Sequence, residues 1–126
     1  MRFAVAVFAV GCLIAPASDQ HVVKELLPTP PKGDKLEVRL GTATIEPGAV
    51  GRWHTYPNHS VVYVVEGTVT VEFRDREPRV YKAGEGFIEP VNTALRGANT
   101  GQTPAKLVIF QLSPPDVPEA IDLPAP

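Results

Sequence analysis

The chain has 126 residues, enough for one domain and too few for two. Its 44% hydrophobic and 21% charged content is ordinary for a globular protein and excludes disorder throughout. The net charge of −2, with no run of Lys or Arg, argues against nucleic-acid binding through a basic face.

Residues 1–17 read as an export leader. Arg2 supplies a short positive start, residues 3–14 are uncharged and apolar, and Ala15-Pro16-Ala17 resembles a small-residue cleavage site. The apolar run is too short to cross a bilayer, which takes about 20 residues. The expectation is an exported protein, periplasmic or secreted, with no transmembrane span in its mature chain. Cys12, the only cysteine, lies inside the leader, so cleavage after Ala17 leaves no thiol and no disulfide. Ala9-Val10-Gly11-Cys12 also resembles a lipoprotein box that would lipidate Cys12. Leu13 and Ile14 carry the apolar run past that cysteine and argue against this route.

Residues 18–34 form an N-terminal arm in which 22–27 read as a short strand, ended by Pro28, Pro30 and Pro31. From 36 to 45 the chain alternates, with Leu36, Val38 and Leu40 as the buried side of a strand and Glu37 and Arg39 as the exposed side. Glu46-Pro47-Gly48 suits a tight turn. Residues 61–65 are apolar and β-branched around one Tyr, a run bounded by turn residues and too short to favour a helix. After Glu66-Gly67, Val69, Val71 and Phe73 alternate with Thr68, Thr70 and Glu72, and residues 74–78 form a charged hairpin tip. Further short strands are expected at 79–81, 86–88 and 106–112, with a turn at Asn99-Thr100-Gly101. No stretch after the leader holds a period near 3.6. The pattern predicts an all-β sandwich or barrel over residues 35–113. Residues 114–126 carry five Pro and read as an extended tail lying on a neighbouring surface.

The positions of Gly48, His54 and Gly67 resemble the first motif of the cupin family, in which Gly, two His, Glu and Gly recur at fixed spacing. Here Tyr56 stands at the second His position and Ser60 at the Glu position. Gly84, Pro90 and Asn99 resemble the second motif, with Asn92 at its internal Gly and Leu95 at its His. The resemblance implies a single jelly-roll-like antiparallel β-barrel. It also implies a metal in the barrel mouth, dioxygenase or isomerase chemistry, and pairing as a homodimer. Of the four implied metal ligands only His54 is kept.

A divalent transition metal (Fe, Mn, Ni or Zn) usually takes three or four His, Cys or carboxylate ligands. Such a metal would need His54, His59 and Tyr56 to converge. The alternative is no tightly bound metal, with His54 a pocket histidine bonded to Tyr56 or a backbone group and His59 in solvent. Period two puts Arg52, His54 and Tyr56 on one face. With Ser60 and Leu95 they are the expected pocket residues, over an apolar floor that suits a small molecule. His54 can work as acid or base near neutral pH with Tyr56 as its partner. Asn58-His59-Ser60 fits a glycosylation sequon.

The leading expectation is an exported barrel that binds a small molecule at a degenerate metal site. A metal-dependent enzyme using His54 with substitute ligands, and a barrel kept only for protein interaction, are the alternatives.

Overall fold

The computed structural model describes residues 17–126. The expected leader, with Cys12, lies outside them apart from Ala17. Nine strands follow in order: β1 Glu37–Ile45, β2 His54–Thr55, β3 Ser60–Glu66, β4 Thr68–Phe73, β5 Arg79–Lys82, β6 Gly86–Glu89, β7 Leu95–Ala98, β8 Ala105–Ser113 and β9 Ile121–Asp122. They form two sheets, one ordered β1-β8-β3-β6 and the other β5-β4-β7-β2-β9, with every strand pair antiparallel. The inner faces meet in one core of Val62, Val64 and Leu107 from the first sheet and Val69, Val71 and Leu95 from the second. This is an all-β jelly roll.

Local chemistry accounts for the turns that switch sheets. Ala49 N–H donates to the Glu46 carbonyl at 2.9 Å, with Gly48 at a φ of 80°, so Pro47 and Gly48 hold the two central turn positions. Gly67 passes the chain from β3 to β4 in one residue, at a φ of 73°, with its α-carbon lodged against the Pro104 carbonyl.

Two expectations are corrected. Residues 22–27 form no strand; Val22 and Val23 instead lie on the edge strand β6 at Gly86. In β1 the parity is reversed, with Val38 65% and Leu40 71% exposed. Arg39 turns inward, where it donates to Gln111 Oε1 at 3.2 Å and to the Val117 carbonyl at 2.8 Å. A guanidinium satisfied by fixed acceptors can be covered, so the polar side of this strand became the inner one. The Pro-rich tail lies on the surface of the barrel. It folds back on its own barrel, where β9 pairs with β2, Leu123 N–H donates to the Trp53 carbonyl at 2.7 Å, and Arg74 bonds the Pro124 carbonyl.

The reversed parity has a second effect. It brings Ala43 and Ile45, further along β1, to the inner face near β2.

Candidate functional site

A cavity of about 410 Å³ opens between the sheets. Its walls are apolar, with Ala43 and Ile45 from β1, Val62 from β3, and Leu107 and Ile109 from β8. His54, Tyr56 and Glu89 enter it, Glu46 stands at its exposed rim, and among the described residues no Lys or Arg lines it.

His54 is fixed from both flanks, since β2 pairs with β7 at Leu95 and with β9 at Asp122. Its Nδ1 lies 2.8 Å from the Arg52 carbonyl oxygen, which can only accept, so Nδ1 carries a proton and donates. Its Nε2 lies 3.0 Å from Tyr56 Oη, and the two rings meet edge to face. In the neutral imidazole, Nε2 therefore accepts the phenol proton. Tyr56 is held in turn by its backbone, whose carbonyl accepts from Asn92 N–H at 2.9 Å. Asn92 stands where the second motif has Gly, and at a φ of 52° it adopts the left-handed conformation that Asn tolerates.

The Glu89 carboxyl interacts with the same phenol, more loosely than His54 does. Burial pushes its pKa up to about 7; the Tyr56 bond opposes that rise and the Glu119 charge adds to it. Tyr56 is pushed well above the usual phenol range, first by burial and then by the charge and hydrogen bond of Glu89. Glu89 is 7% exposed, and its Oε2 is buried with no hydrogen-bond partner among the described residues. His54 and Glu89 thus approach one phenol from two sides, an arrangement that can serve acid–base work on a bound molecule.

The sequence profile of the cupin domain matches residues 41–110. The chain belongs to the cupin family. It is 32% identical over 105 residues to the polyketide synthase CurC of Streptomyces cyaneus, covering 73% of this chain and 67% of that one. It is 33% identical over 93 residues to SchB of Streptomyces halstedii, covering 73% of this chain and 65% of SchB, a little under two thirds of that protein's length. Among solved structures it superposes on the polyketide cyclase RemF of Streptomyces resistomycificus with a TM-score of 0.61 at 13% identity, over 71% of this chain and 62% of RemF. That likeness is one of fold.

In this cupin the expected pocket residues separate. His54 and Tyr56 line the cavity; Arg52, Ser60 and Leu95 do not. The Arg52 side chain is 84% exposed and pairs with Asp122 at 3.0 Å, because the chain before His54 is not regular strand and the alternation does not reach back to it. Ser60 is fully buried in a closed polar cluster. There Gln111 Nε2 donates to Ser60 Oγ at 3.1 Å, and Asn58 Nδ2 donates to Ser113 Oγ at 2.9 Å. Asn58 is thus inside the fold and unavailable as a folded-state sequon. Leu95 belongs to the core.

His59 is buried rather than solvated. Its Nδ1 lies 3.1 Å from the Glu89 carbonyl oxygen, and it lines a separate cavity beneath Leu26 and Leu27 of the arm, away from His54. The glutamate was missed in the sequence although a signal existed. In residues 86–89 a period of two puts Glu89 on the face of the buried Phe87.

The metal implied by the cupin family does not fit these residues. His54 has both ring nitrogens engaged, Tyr56 is held as a phenol rather than a phenolate, and His59 serves another cavity. Among the described residues no group of three or more His, Cys, Asp or Glu side chains could hold a metal ion. Within the cavity, Glu89 offers a buried oxygen with no hydrogen-bond partner among the described residues.

Proposed function

We propose that this cupin is exported and binds a small, uncharged, largely apolar molecule in its barrel mouth without a resident metal. The observation that carries the reading is the apolar cavity onto which His54, Tyr56 and Glu89 converge. Its volume lies in the range of small-molecule sites. An anionic ligand is disfavoured because Glu46 and Glu89 are the charged residues of the lining and no cation offsets them. The polyketide names of CurC and RemF favour a polyketide-derived ligand. Export rests on the leader pattern of residues 1–17.

A second reading, proton-transfer catalysis on that ligand, is favoured by the linkage of Glu89 to His54 through Tyr56. The barrel is also proposed to pair as a homodimer. β1 is an open edge of its sheet, and Leu40, Phe110 and Val61 line up across the outer face beside it. A second copy offers the same edge and the same face, which closes a two-fold contact.

The test is calorimetric binding of a panel of neutral ring compounds and small carboxylates to chelator-treated protein. Saturable one-site binding of neutral compounds is the expected outcome. A protein that takes up no compound until iron, manganese, nickel or zinc is restored would overturn the metal-free reading.

A further inference from the structure

We infer that the cavity selects ligands carrying a hydroxyl group, and that Glu89 is the residue that reads it. The inference rests on the small-molecule reading above and names the chemistry of that same site.

Thr44 and Glu46 stand at the exposed rim, and of the three polar groups that reach further in, two are already engaged. His54 donates through Nδ1 to the Arg52 carbonyl and accepts through Nε2 from Tyr56. The Tyr56 hydroxyl is thereby committed to His54. Glu89 is different, because its side chain is buried, it lines the cavity, and its Oε2 has no partner among the described residues. A buried polar atom left unpaired costs free energy that a ligand can recover. The group is also held in place, since the His59 ring lies 3.1 Å from the Glu89 carbonyl oxygen and Ser60 pairs with Glu89 across β3 and β6.

What chemistry satisfies this carboxyl? An ammonium finds its charge balanced only by a carboxylate, and a carbonyl finds a donor only in a carboxylic acid. A hydroxyl both donates and accepts, so it serves Glu89 whichever form the site holds. The rest of the ligand must be apolar, because Ile45, Val62, Leu107 and Ile109 form the walls. A hydroxylated ring, phenol or enol, fits both demands.

The experiment compares naphthol with methoxynaphthalene, its methyl ether, by fluorescence titration of the intact protein at mildly alkaline pH, where Glu89 is a carboxylate that can only accept. The ether keeps the ring and the oxygen but cannot donate. The expected result is naphthol bound at least about tenfold more tightly, the scale of one buried hydrogen bond. Glu89→Leu should abolish the preference, whereas Glu89→Gln, which still donates and accepts, should keep part of it. Equal affinities of the wild-type protein for the two probes would overturn the inference while leaving the cavity as a binding site. Binding of neither probe would overturn it together with the small-molecule reading. The wild-type comparison decides even if a Glu89 variant does not fold.

Discussion

A carboxyl group buried beside a phenol keeps its proton to a higher pH than one in water. For Glu89 the rise is from 4.5 to about 7, driven first by burial. Between those values the folded state binds more protons than the unfolded chain, so stability falls as pH rises through the window. The slope reaches about 1.4 kcal/mol per pH unit at most. Urea unfolding across this range should show the decline in the wild-type protein and a flatter profile in Glu89→Gln; parallel profiles would remove Glu89 as the cause. Residue by residue, the site was unevenly legible. His54 and Tyr56 could be read from motif spacing because spacing fixes position along the chain. Arg52 could not, because alternation holds only inside a regular strand and β2 begins at His54. Ser60 was placed by the motif but not explained by it, since its partner Gln111 lies on another strand.

Strands were legible from their apolar content; β3 and β8 alternate in burial, whereas in β4 Thr70 is covered along with Val69 and Val71. β1 shows the limit of that signal. Its apolar residues gave the period correctly and the side wrongly, because the acceptors that draw Arg39 inward come from Gln111 and from residues 114 and 117. No local pattern holds that information. The glycine between β3 and β4 makes a sharper demand. A methyl group at Gly67 would meet the Pro104 carbonyl in a conformation that L side chains rarely adopt. Gly67→Ala should therefore cost about 2–4 kcal/mol, read as a lower denaturation midpoint with an unchanged slope. A loss within experimental error would mean that the β3–β4 crossing relaxes freely.

At the scale of the molecule, the cupin barrel was readable from two motifs and from turn residues, whereas the outer face was not. Val38, Leu40, Tyr63, Val65 and Phe110 all remain substantially exposed on the first sheet, more apolar surface than a lone barrel needs. Sedimentation should give a dimer for the wild-type chain and a folded monomer for the Leu40→Glu, Phe110→Glu double variant. A monomeric wild type would sink the pairing. The same barrel places its candidate histidine under remote control. β2 precedes most of the barrel in the chain, yet β9, which closes its free side, follows every other strand. A chain clipped before Ile121 would keep the β1–β8, β3–β8 and β4–β7 ladders and lose one flank of His54. Competence to bind would then report that β9 is docked, and barrels without it would be silent rather than wrongly active.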